Sequence, residues 1–157
     1  MKTSRRGIDM IIAFEGLELK AYKCPAGIWT IGVGHTGDVG GIPVGHGMAI
    51  TATEAMGLLR EDITRFERYL NAQSFAKILN QGMFDALVSF IFNVGTGAFQ
   101  TSTMRRKLCL GESPQEVAKE FSRWVYGTVN GKKERLPGLV ARRESEKERF
   151  LEVNKNL

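Results

Sequence analysis

Histidine, cysteine and proline are scarce in this chain, with two, two and four copies among 157 residues. Cys24 and Cys109 stand far apart and match no metal-ligand spacing, so both read as thiols, and neither a disulfide framework, a metal nor a cofactor is expected. Few prolines, with 43% hydrophobic and 25% charged residues, exclude a disordered chain. Long apolar runs are missing too. The stretch from Ile8 to Phe14 is interrupted by Asp9 and ends at Glu15, which is too short to span a bilayer and lacks a small-residue cleavage site. A chain without its own export signal or membrane anchor is therefore expected. No internal repeat or low-complexity tract is visible. What the chain has in excess is positive charge: 22 Lys and Arg against 17 Asp and Glu give +5. Such a surface is drawn to polyanions, whether nucleic acid, anionic lipid or an acidic wall, and no nucleic-acid recognition motif accompanies it.

The length suits one compact domain built as a small lobe on a larger one. Residues 16–50 hold half of the 18 glycines and read as short strands and turns, whereas 51–157 read as successive helices, an α+β pattern with the sheet segregated from the helical body. Ser4 can cap a first helix that stops at Gly16, with Ile8, Ile11 and Ile12 as its buried stripe. Lys20–Lys23 and Ile28–Val33 read as strands joined by a turn at Cys24, Pro25, Ala26 and Gly27. A glycine-rich loop from Gly34 to Gly47 follows and contains His35 and His46. Thr51 with Glu54 makes a capping box that opens a long helix to about Leu70, suited to link a 15–50 lobe to a helical body of 71–157 plus the N-terminal helix. Met83 to Val94 is apolar nearly all round and reads as the central buried helix. Further helices are expected from Thr101 or Ser102 to Leu110, from Pro114 through Val117, Phe121, Trp124 and Val125, and from Pro137 onward, with a turn at Asn130-Gly131. Trp124 and Cys109 read as buried; Arg105, Arg106 and Lys107 form a basic cluster on a solvated helix face or one that meets wall anions.

Glu15 continues the apolar series of the first helix, so a carboxylate lies on the sheltered side of its last turn. Burial of an ionised carboxylate is costly unless it is paired or its pKa rises. Two readings follow. Desolvation can lift the pKa and make a general acid, or an arginine such as Arg142 or Arg143 can hold the charge.

Glu15, Cys24 and Thr30 stand as Glu-x8-Cys-x5-Thr within FEGLELKAYKCPAGIWTIGVGHT. This resembles the active-site signature of the phage lysozyme family of glycoside hydrolases, whose middle position is Asp or, in many members, Cys. ALVSFIFNVGTGAFQTSTMRRKL and RWVYGTVNGKKERLPGLVARRESE resemble the same family's central and C-terminal segments, so the likeness covers residues 4–152. It implies a lysozyme-like fold, a small β-hairpin lobe and a larger all-helical lobe joined by a long helix. It implies hydrolysis of the bond between N-acetylmuramic acid and N-acetylglucosamine in peptidoglycan, with Glu15 as the acid, Cys24 as the second catalytic residue and Thr30 positioning water or sugar. Phe92, Asn93 and Ser102 match family positions along the lower wall of the substrate cleft, Gly34 would let sugar approach the backbone closely, and His35, also placed at the substrate, resembles a family position paired with an acidic residue of the long helix. A thiol is mostly neutral at pH 7 and departs from the two-carboxylate scheme, leaving three roles for Cys24: a thiolate that activates water, favoured by analogy with carboxylate-bearing relatives, a nucleophile, or a polar placeholder. The resemblance further implies a monomer that waits in the host cytoplasm until a permeabilising partner such as a holin releases it to the wall, with no nucleic-acid partner. A lytic transglycosylase and a non-catalytic wall-binding domain are the alternatives; the second has no need of Glu15, Cys24 and Thr30 together.

Overall fold

A computed structural model describes residues 1–153. The chain forms two compact units: Asp9–Arg65, and Met1–Ile8 together with the chain from Phe66 onward. Helices α1 (Arg5–Glu15) and α2 (Ala52–Asn71) both run across that boundary.

In the Asp9–Arg65 unit, α1 ends where Gly16 adopts φ +78° and its N–H reaches Ile12 O at 2.8 Å. Strands β1 (Glu18–Lys23), β2 (Trp29–Gly32) and β3 (His35–Thr36) form an antiparallel sheet in that order. β1 is bulged between Glu18 and Tyr22, after which Tyr22 pairs with Thr30 and Lys23 with Trp29. The glycine-rich loop is more ordered than a bare loop: it contains β3 and a small ladder of β4 (Asp38–Val39) and β5 (Ile42–Pro43). Ile31, Val44, Ile50 and Ala55 form the core of this unit, with Trp29, Met48 and Leu58 packed against them. The capping box at the start of α2 is complete. Glu54 N–H donates to Thr51 Oγ1 at 3.1 Å, and Thr51 N–H reaches back to Glu54 Oε1 at 3.3 Å.

In the other unit, α3 (Gln81–Val94) is the buried centre, capped by Asn80, whose side chain accepts from Met83 N–H. Around it lie α4 (Thr96–Gln100), α5 (Thr103–Cys109), α6 (Pro114–Ala118) and α7 (Pro137–Leu151). Phe90 of α3 meets Phe99, Phe121 and Trp124 edge to face at 5.4–6.3 Å, contacts each worth about 0.5–1.5 kcal/mol beyond the area they bury. Glu146 on α7 is fully buried, accepts hydrogen bonds from Arg142 Nε at 3.1 Å and Ser89 Oγ at 2.8 Å, and forms an ion pair with Arg143, whose Nε lies 3.3 Å from Oε2. The chain start is fastened to the same body: Thr3 N–H and Oγ1 donate to Glu67 Oε1, and Ser4 N–H donates to Asp85, which also holds Arg149 at 2.7 Å.

The α+β architecture is the expected one, with three corrections in this unit. It is not all helix: Asn130 (φ +51°) and Gly131 (φ +76°) close a hairpin of β6 (Tyr126–Val129) and β7 (Lys132–Arg135). Two consecutive positive φ values make the turn whose twist suits paired strands, and Asn-Gly is the dipeptide that tolerates it. The helix opened by Ser113 and Pro114 ends at Ala118, followed by a 3-10 turn over Lys119–Arg123, instead of running on to Val125. α4 was not anticipated, because five residues give no readable period.

Candidate active site

Glu15, Cys24 and Thr30 belong to one compact unit. Glu15 is the last residue of α1 and is half-buried, held by the helix that shelters Ile11 completely one turn earlier. Cys24 follows β1 at the head of the turn, also half-buried, with its N–H on Ile28 O at 2.9 Å and its carbonyl receiving Gly27 N–H at 2.8 Å. Thr30 lies in β2, 4% exposed, directly across from Tyr22. Directly paired residues project to the same face of a sheet, so Tyr22 and Thr30 are side-chain neighbours.

The turn prepares the thiol. The Cys24 pKa is lowered from its ordinary value, first by a hydrogen bond from the Ile28 backbone N–H. Partial burial opposes this, and the Ala26 backbone, the Thr30 hydroxyl and the residue's own backbone add to the lowering. Thr30 has a single hydroxyl proton, which it donates to Ile28 O at 3.0 Å; turned towards sulfur, the same proton stabilises a thiolate. Tyr22, which the sequence reading passed over, reports on the site. Its phenol is pushed above 10.0 by burial, then by the charges of Glu18, Glu15 and Cys24. The Tyr22 hydroxyl therefore lies within electrostatic reach of the helix-end carboxylate and the turn thiol at once. Its visible signal was its place in the strand, two residues before Cys24.

His35 is buried, with Nδ1 on Asp62 Oδ2 at 2.7 Å and Nε2 on Asp38 O at 2.8 Å. Burial pulls its pKa down, but the Asp62 and Asp38 hydrogen bonds and the charges of Asp62 and Glu61 outweigh that, so the net shift is upward. The expected pairing with an acidic residue of the long helix is thus present, and it ties the loop to α2. Gly34, at φ +65°, makes the tight passage from β2 to β3.

The other three matched positions lie in the unit that begins again at Phe66. Phe92 packs edge to face on Phe66 at 5.6 Å. Asn93 is exposed and accepts through Oδ1 from Arg143. Ser102 caps α5, its Oγ accepting from Arg105 N–H at 3.1 Å and donating to Phe99 O at 2.7 Å. Three expectations change, the first being Trp124, which is half-buried and lines a pocket instead of lying in the core. Cys109, the last residue of α5, is exposed, not buried. The basic cluster is split, since Lys107 turns inward to Glu120 at 3.7 Å and Arg105 binds Gln73 at 2.9 Å. Among the described residues no cluster of three or more His, Cys, Asp or Glu is placed to hold a metal, and no helix is long and apolar enough to cross a membrane.

An acidic residue at a helix end, a thiol of lowered pKa and a threonine hydroxyl thus lie in one compact unit. The phage lysozyme family profile matches residues 12–146. The chain is 43% identical to an endolysin of Acyrthosiphon pisum secondary endosymbiont phage 1, over 96% of this chain and 98% of that one. It is 45% identical to an endolysin of Salmonella phage P22, over 79% and 84%. Among solved structures, the muramidase domain of SpmX from Asticaccaulis excentricus superposes with a TM-score of 0.82 at 37% identity, over 97% and 99% of the two chains. The fold and the family together define a glycoside hydrolase of the lysozyme class. The chain belongs to the phage lysozyme family.

Proposed function

We propose that this enzyme cleaves the β-1,4 bond between N-acetylmuramic acid and N-acetylglucosamine in peptidoglycan, with Glu15 as general acid, Cys24 as the group that activates water and Thr30 as its positioning partner. The carrying observation is the match to the phage lysozyme family over residues 12–146 and to endolysins at 43–45% identity, with Glu15, Cys24 and Thr30 in one compact unit. Glu15 gives its proton to the glycosidic oxygen as the bond to the muramic anomeric carbon breaks. Water attacks that carbon from the opposite face and loses its proton to the Cys24 thiolate, which the Ile28 N–H and the Thr30 hydroxyl stabilise. Regeneration needs only the return of one proton from Cys24 to solvent and one from solvent to Glu15.

Gly34, Phe92, Asn93 and Ser102 are assigned to substrate binding. His35 contributes through the loop it fastens, because both of its ring nitrogens are already engaged. The enzyme acts as a monomer and meets the wall after a holin-type partner opens the cytoplasmic membrane, a reading supported by its kinship with phage endolysins.

The test is NMR of the anomer released in the first turnovers, with wild type, Cys24→Asp and Cys24→Ser. The α-anomer is expected from wild type and from Cys24→Asp, which retains most of the rate, while Cys24→Ser falls by about 10²-fold or more. A β-anomer would make Cys24 a nucleophile, and a 1,6-anhydro end would make the enzyme a transglycosylase.

A further inference from the structure

Tyr22, Cys24 and Thr30 stand on one face of the short sheet. Tyr22 pairs directly with Thr30 across β1 and β2, and the next pair, Lys23 with Trp29, is followed by the Cys24 N–H on Ile28 O at 2.9 Å, so the ladder runs in register up to the thiol. Side chains alternate along a strand, and residues two apart share a face. The irregularity between Glu18 and Tyr22 ends where this register begins, which sets the Tyr22 side chain beside the other two.

The three side chains differ in what they have left to offer. Thr30 is 4% exposed, and its one hydroxyl proton goes to Ile28 O at 3.0 Å or turns to the Cys24 sulfur. Tyr22 is half-buried, and its hydroxyl makes no hydrogen bond to another of the described residues. Burial and the charges of Glu18, Glu15 and Cys24 keep its proton in place well beyond neutral pH, so the phenol oxygen stands near the thiol as a neutral group with its lone pairs uncommitted.

Hydrolysis asks for such a group. A water attacking an anomeric carbon aims a lone pair at that carbon while one O–H points to the base, and a single hydrogen bond leaves it free to swing about that direction. A second acceptor stops the swing. It has to lie on the thiol's face, be open to water, and be neutral, so that it does not raise the thiol pKa that the turn has lowered. Thr30 is too deeply buried, and of the side chains on this face Tyr22 meets all three conditions.

We propose that Tyr22 is a further catalytic residue: its phenol oxygen accepts the second O–H of the attacking water while the first points to Cys24. The proposal rests on Cys24 as the group that activates water and adds the group that orients it. Water's oxygen bonds to the anomeric carbon as the bond to the glycosidic oxygen breaks and Glu15 protonates that oxygen. The first water proton passes to sulfur, the second stays on the new anomeric hydroxyl, and the phenol neither gains nor loses one.

The experiment measures kcat and KM on peptidoglycan glycan strands for wild type, Tyr22→Phe, Cys24→Ser and the double variant, each with its Tm. Phenylalanine keeps the ring and removes only the oxygen, so the Tm is expected to stay near that of wild type. Tyr22→Phe is expected to lower kcat about tenfold, the size of one hydrogen bond made in the transition state, with KM unchanged. Because Tyr22 acts on the water that Cys24 deprotonates, the double variant is expected to be no slower than Cys24→Ser. A wild-type kcat in Tyr22→Phe, or a loss confined to KM, would overturn the proposal, as would losses that multiply in the double variant, the mark of independent or purely structural effects. A slow Cys24→Ser beside a normal Tyr22→Phe removes Tyr22 and leaves the Cys24 reading standing. A Cys24→Ser that matches wild type ends the Cys24 reading and the proposal with it.

Discussion

At the scale of single residues, the turn and the loop shift the pKa values on which the proposed mechanism depends. Because the Cys24 pKa is lowered, the thiolate proposed to accept water's proton is available at a lower pH than an ordinary thiol allows. The alkaline rise of kcat/KM should lie below 9.0 in wild type and move to the carboxylate range in Cys24→Asp, as a pH profile would show; superimposable profiles would remove Cys24 from the proton path. His35 has a folded pKa above 6.5, so the stability it contributes is fully present below about pH 6.5 and is lost as the pH rises through the folded value. His35→Gln should therefore lower the Tm more at pH 5.5 than at pH 8.5. The bond to Asp62 is worth about 1.5–3 kcal/mol when the ring is charged, and a Tm difference independent of pH would contradict the charged pair. Glu15 stands out in the sequence because it continues the apolar series of α1, whereas the link to Cys24 and Thr30 came from the family resemblance. Glu120 does not stand out: its buried Oε1, left without a hydrogen-bond partner, depends on where Lys107 and Arg123 fold, and no spacing records that.

At the scale of elements, helix ends closed by residues within a turn are legible in the sequence, whereas the β6–β7 hairpin and the 3-10 turn after α6 are not. The capping boxes at Thr51 and Ser113 and the glycine stop at Gly16 mark their helices because the groups that satisfy the end lie within a turn of it. The β6–β7 hairpin was reduced to its turn, since Lys132 to Arg135 are all exposed and leave no alternating pattern; backbone pairing and the packing of Leu136 on Gly127 define it instead. The helix after Pro114 gives way to a 3-10 turn, so its apolar residues kept a helical spacing that the backbone does not keep. α7 comes close to α3 at Gly82, where an added Cβ would stand 2.5 Å from the Arg149 carbonyl oxygen. That oxygen belongs to a helix backbone and cannot move alone. Gly82→Ala should destabilise by about 1–3 kcal/mol, a Tm loss of roughly 2–12 °C by calorimetry, even though alanine favours helix; an unchanged or raised Tm would mean that α7 yields there.

At the scale of the whole molecule, two compact units share the work unequally. The Asp9–Arg65 unit holds the acid, the thiol and the hydroxyl on a helix end and a short sheet, and the remainder supplies a large aromatic core with a pocket on its surface. The net charge of +5 favours encounter with an anionic wall without specifying which bond breaks. The proposed hydrolysis depends on one carboxyl group giving up a proton to a glycosidic oxygen. The direct measurement is the initial rate of peptidoglycan hydrolysis by Glu15→Gln, with its Tm checked against wild type. A folded variant slower by about 10²–10⁴-fold is expected from loss of the proton donor, whereas a folded variant that clears the wall at a near-normal rate would show that the acid lies elsewhere.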